Sequence, residues 1–140
     1  MCCIGAEQDM ITAYVAGNGD TYREALQRIL DSITGIRVAG KSANGRDALQ
    51  QIRLSRPDIV ILELTLPDLN GVEVVRLIRS ECISSIVIMI SDRDNPSYRE
   101  AAIAAGVDYY LDKFFESQKI GPILENLVRL MSDAKEQVMN

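Results

Sequence analysis

With 140 residues, 47% of them hydrophobic and 25% charged, the chain has the size and composition of one soluble globular domain and is too short for two. A formal net charge of −5 argues against a direct nucleic-acid-binding domain, which needs a basic face. No apolar run approaches the ~20 residues of a membrane span, and the N-terminus lacks the basic and apolar blocks of a secretion signal. The chain has no His, which removes the commonest general base and metal ligand and excludes Ser-His-Asp and Cys-His hydrolases. Cys2, Cys3 and Cys82 show neither metal spacing nor a disulfide framework. They are read as reduced thiols of a cytoplasmic protein.

In chain order, residues 1–9 read as a flexible lead. Residues 10–16 (MITAYVA) form a first strand. Tyr22, Leu26, Ile29, Leu30 and Ile33 follow at helical spacing, with Asp20 or Thr21 as cap and Gly35 as terminator. Residues 36–40 make a short second strand. Asn44 caps a second helix that turns Ala48, Leu49 and Ile52 inward, and Pro57 stops it. Residues 59–62 are an uninterrupted apolar strand, and Val72, Val75 and Ile78 mark a third helix.

Residues 86–91 (IVIMIS) form the next strand. An alanine-rich helix over residues 94–105 is closed by Gly106, and residues 107–111 form the fifth strand. The last helix places Ile120, Ile123, Leu124, Leu127, Leu130 and Met131 on one face, with Pro122 in its first turn. Residues 10–131 are taken as the domain and 132–140 as a helix end or polar tail. Strands alternating with helices predict an α/β fold with a five-stranded parallel sheet covered on both faces. In such sheets the functional crevice lies outside the carboxyl ends of the strands. Those ends carry Gly17-Asn18, Glu63, Ser91 and Lys113, and four strand ends converging on one site outweigh any single motif.

Three segments carry a family resemblance. Residues 57–71 (PDIVILELTLPDLNG) read as a buried strand ending in a carboxylate, then a Pro and Gly loop, then a helix. Ser91 follows Ile-Val-Ile-Met-Ile, and residues 105–113 read AGVDYYLDK. In this order and spacing the chain resembles the receiver domain of two-component response regulators, over about residues 10–131. The resemblance implies a flavodoxin-like doubly wound sheet of strand order 2-1-3-4-5 with five helices. It also implies a phosphoacceptor carboxylate at Glu63, crevice partners Ser91 and Lys113, a switch aromatic at Tyr110, and metal positions at Gly17, Asn18 and the carbonyl of Thr65.

The departures from the family fall in the catalytic parts. Glu63 stands where the family has Asp, and Gly17-Asn18 stand where it has an acidic pair. Mg2+ prefers carboxylates, so its binding is expected to be weak or absent, and no other cofactor is expected. Asp92, after Ser91, would repel a phosphodonor. Phe114-Phe115 replace the Pro that often follows the Lys, and they are expected to pack against the last helix. Glu reaches roughly 1.5 Å further than Asp, about one C–C bond. Glu63 is therefore expected to pair with Lys113 and to accept a hydrogen bond from Ser91, imitating the phosphorylated contact.

The leading expectation is a non-enzymatic, phosphorylation-independent receiver acting as a protein-interaction module in a bacterial regulatory system. Its protein partner, or a second copy, would dock on the face built by the fourth helix, fifth strand and fifth helix, with Tyr109, Arg99, Glu100, Asp108, Asp112 and Lys119 on that surface. No nucleic-acid or membrane contact by this domain is expected. Two other readings stand beside it. One is a working phosphoacceptor in which Asp92, Asp20 or Asn18 rebuild a metal site around Glu63. The other is a flavodoxin-like small-molecule binder, although Gly17-Asn18-Gly19-Asp20 is too short to count as a phosphate loop.

Overall fold

The computed structural model describes residues 10–93 and 95–139, with side chains to residue 134. The expected lead over residues 1–9, including Cys2 and Cys3, lies outside the described residues, as does Asp94. The elements are β1 Ile11–Ala16, α1 Asp20–Asp31, β2 Ile36–Ser42, α2 Gly45–Ser55, β3 Ile59–Glu63, α3 Gly71–Ser80, β4 Ile86–Ser91, α4 Pro96–Ala105, β5 Tyr109–Asp112 and α5 Ile120–Met139. A single 3-10 turn, Ser117–Lys119, leads into α5. All strands are parallel in the order β2-β1-β3-β4-β5, as expected for a flavodoxin-like sheet.

Alternation along each strand sorts the core into two layers. Ile11, Ala13, Val15, Ile59, Ile61, Ile88, Ile90 and Leu111 face α1 and α5, meeting Leu26, Leu30, Ile120, Leu124 and Leu127. Tyr14, Ala16, Val60, Leu62, Val87 and Met89 face α2, α3 and α4, meeting Leu49, Ile52, Val75, Ile78 and Ala102. β3 is buried at every residue, so it reads as a continuous apolar run rather than an alternating one. Among the described residues no helix is long and apolar enough to cross a membrane.

Local chemistry sets the helix ends. Asn44, Asn70 and Asn95 cap α2, α3 and α4, each accepting a backbone N–H through its side chain. The cap of α1 differs from the expectation: Gly19 occupies it and no side chain bonds there. Asp20 instead pairs with Arg23, one turn on. Gly35 does not end α1 either, since the helix stops at Asp31, and Gly35 takes a left-handed φ of 94° in the turn into β2. Leu130, assigned to the inward face of α5, is exposed, and Val128 is buried in that layer instead.

Gly71 marks the tightest point beside the site. A β-carbon there would lie 2.6 Å from the Glu63 carbonyl oxygen and 3.0 Å from Met89 Cε. Gly71→Ala should destabilise the fold by about 1–3 kcal/mol through overpacking. Gly121→Ala meets nothing within 4 Å in α5 and should be neutral or stabilising by up to about 1 kcal/mol. Urea unfolding midpoints of the two variants check the contrast.

Candidate functional site

The parallel register brings the four strand ends together. Ala16 pairs with Leu62, so Gly17 comes level with Glu63, the last residue of β3. Glu63 pairs with Ile90, which places Ser91 one step beyond. The Lys113 N–H donates to the Ser91 carbonyl at 2.8 Å and carries that side chain to the same edge.

Glu63 is 5% exposed, and both carboxylate oxygens have partners. Oε1 accepts the backbone N–H of Asn18 at 3.1 Å. Oε2 accepts from Lys113 Nζ at 3.1 Å. The Lys113 side chain is 25% exposed, and its ammonium lies 4.4 Å from the centroid of the Tyr22 ring. A cation over an aromatic face gains attraction from the ring quadrupole. Burial pushes the Tyr22 phenol pKa up, the Ser117 hydroxyl opposes this, and the negative charge of Glu63 adds to the rise. Tyr22, Lys113 and Glu63 therefore form one electrostatic group.

Gly17 leaves room for the longer acid. A β-carbon at position 17 would lie 2.8 Å from Glu63 Oε1 and 3.3 Å from Arg23 Cγ. Arg23 donates to the Gly17 carbonyl and to the Asp20 carboxylate. Its side chain is only 15% exposed, which puts a nearly buried cation beside positions 17 and 18. Arg23 is a site residue that the sequence expectation does not include. The signal for it was available, an Arg three positions after an Asp at a helix start that follows a Gly-Asn-Gly turn.

Ser91 does not bond Glu63. Its hydroxyl donates to the Arg93 carbonyl at 2.9 Å and accepts the Arg93 N–H at 3.0 Å, a local turn that uses the group up. Asp92 accepts from the Thr65 hydroxyl at 3.0 Å and approaches Arg93 at 3.8 Å, while Asp20 is 84% exposed. Among the described residues no group of three or more His, Cys, Asp or Glu lies close enough together to hold a metal ion.

Tyr110 turns toward the α2/α3/α4 layer, with its hydroxyl buried and unpartnered among the described residues. The Arg99 guanidinium carbon lies 5.5 Å from its ring centroid. Tyr109 turns the other way and packs in the α1/α5 layer. Phe114 and Phe115 do not pack against α5, being 70% and 78% exposed. The Asp112 carboxylate accepts both of their N–H groups, at 2.8 and 2.9 Å, and so turns the chain outward at this point.

The sequence model of the response regulator receiver domain matches residues 14–125. The chain belongs to that family. The response regulator MprA of Mycolicibacterium vanbaalenii is 37% identical over 107 residues, 76% of this chain and 46% of that protein. The response regulator UvrY of Escherichia coli is 30% identical over 112 residues, 79% of this chain and 51% of that protein. The chain thus spans about half the length of the curated relatives it matches. The structure of a LuxR-family DNA-binding response regulator from Staphylococcus aureus superposes with a TM-score of 0.74 at 25% identity, covering 89% of this chain and 98% of that one.

Lys113→Ala would leave a buried carboxylate with a single N–H donor. The expected loss is about 1–3 kcal/mol, below that of a fully buried pair because Lys113 is partly wet. Urea unfolding at neutral pH measures it, with a loss under about 0.5 kcal/mol placing the pair among ordinary surface contacts.

Proposed function

We propose that this receiver domain works without phosphate, as a signalling module that binds protein. The observation that carries this reading is the Glu63 carboxylate, which already holds Asn18 N–H and Lys113 Nζ on its two oxygens. The nucleophile of the family is thereby converted into a resident anion. The residues present also do not fit a divalent cation. Gly17 offers no side chain, Asn18 offers no charge, both oxygens of Glu63 are in use, and the largely covered Arg23 cation adjoins them. Without carboxylate ligands, charge developing on a transferring phosphoryl group would go unscreened.

Incubation with acetyl phosphate and Mg2+ should therefore leave the intact mass unchanged. Glu63→Asp alone should stay equally inert, because it restores the nucleophile and leaves positions 17 and 18 without acid. A substantial phosphoryl adduct on Glu63 overturns the reading and favours the working phosphoacceptor.

The same proposal places the docking surface on α4, β5 and α5. Tyr98 and Ile103 on α4 and Phe115 after β5 expose large apolar side chains. Phe115 borders a groove of about 350 Å3 lined also by Pro96, Arg99, Tyr110 and Glu116. Tyr110, held inward beneath Arg99, keeps that face in one arrangement. Of the charges assigned to it, Asp108 belongs elsewhere, since it pairs with Arg79 and accepts the Val87 N–H. The proposed occupant is a protein, and a second copy of this chain is the first to test, because exposed aromatics and mixed charge suit a two-fold self-contact. Light scattering should give a dimer that Phe115→Ala with Arg99→Glu reduces to monomer. A wild-type monomer at the highest soluble concentration overturns self-association. In a longer protein such a domain would control an attached output and would work in the cytoplasm.

A further inference from the structure

We infer that Arg23 is a positioning residue that acts on Glu63 through the peptide group joining Gly17 to Asn18. The two ends of that one peptide are both engaged. Its oxygen, on Gly17, accepts from the Arg23 guanidinium. Its N–H, on Asn18, donates to Glu63 Oε1 at 3.1 Å. A cation at the oxygen draws electron density along the amide and makes the N–H a stronger donor to the carboxylate. Hydrogen bonds linked in this way reinforce one another, most of all where water is largely excluded. Glu63 therefore has two cations, Lys113 in direct contact and Arg23 one peptide away.

The geometry around this chain keeps it in place. The Arg23 stem runs under Gly17, with Cγ 3.3 Å from where a β-carbon would sit. The Gly17 N–H is fixed to the Ser42 carbonyl at 3.0 Å, and the Arg23 N–H to the Gly19 carbonyl at 3.1 Å. Asp20, exposed on the far side, takes a second guanidinium nitrogen and orients the fork. Three features that look separate in sequence, a missing acid at 17, a lengthened acid at 63 and an arginine at 23, become one arrangement. This inference rests on the reading that Glu63 is a resident anion.

Amide hydrogen exchange and the proton chemical shift of Asn18 test it, read against the Val87 N–H, which bonds Asp108 at the amino ends of β4 and β5. In Arg23→Met, which keeps the stem and removes the cation, Asn18 exchange should rise about tenfold or more relative to Val87, the loss expected for a bond to a charged group. Its proton should also move upfield. Arg23→Lys, with charge but no fork, should fall between. Repeating Arg23→Met in a Glu63→Gln background should shrink the effect by more than half, because the acceptor charge is gone. An unchanged Asn18 amide in folded Arg23→Met overturns the inference, as does an equal effect in both backgrounds, which would mean that Arg23 only packs. If Arg23→Met does not fold, Arg23→Lys and its Glu63→Gln double variant decide by the same two readings. Phosphoryl transfer to the wild-type protein would sink the underlying reading while leaving the Asn18 result to stand or fall separately.

Discussion

A carboxylate that is 5% exposed at the carboxyl edge of a parallel sheet must be met by donors, and the crevice is organised around that demand. Taking a charge out of water is costly, and only close, well-directed partners offset it. The sheet delivers Lys113 from β5, and the turn after β1 delivers the Asn18 N–H. Gly17 leaves the space that the extra methylene needs. Tyr22 covers the ammonium from α1, so the helix that follows the first strand is tied to the loop that follows the last. Relieving one buried charge thus connects β1, α1, β3 and the β5–α5 loop.

The same demand lets the edge of the sheet vary without changing the shape of the family fold. The two apolar layers are built from β-branched strands and amphipathic helices that make no reference to positions 17, 18 or 63. The sheet order and the convergence of strand ends survive any substitution at the edge that keeps the buried groups satisfied. Function in such a fold resides in a few end-of-strand side chains. Here those side chains include an ion pair between Glu63 and Lys113.

Much of this was legible in the sequence. Apolar runs bounded by the Asn44 cap, Pro57 and Gly106 placed the strands and helices to within a few residues. The ends of β1, β3, β4 and β5 then identified Gly17, Glu63, Ser91 and Lys113 as neighbours. The Glu63–Lys113 contact followed, because the ends of β3 and β5, with β4 between them, turn opposite charges into the same crevice. What escaped prediction depends on loop geometry. Ser91 can bond its own turn or the crevice, and the backbone over residues 91–93 decides for the turn. Phe114 and Phe115 are apolar enough to be read as core, but the Asp112 carboxylate captures their N–H groups and directs the chain outward. Asp20 was read as a cap because pattern alone does not reveal that Arg23 competes for it.

The stacking of Lys113 on Tyr22 also gives the molecule a built-in reporter. Protons above an aromatic face are shielded by the ring current, so the terminal methylene and ammonium protons of Lys113 should resonate well upfield of any solvated lysine. Among the described residues no other lysine lies over an aromatic ring, and with no tryptophan present the aromatic spectrum is sparse. Departure of the lysine from Glu63 would uncover the ring and return those protons to their ordinary position. The crevice can therefore be observed open or closed in solution without a label, a ligand or a partner.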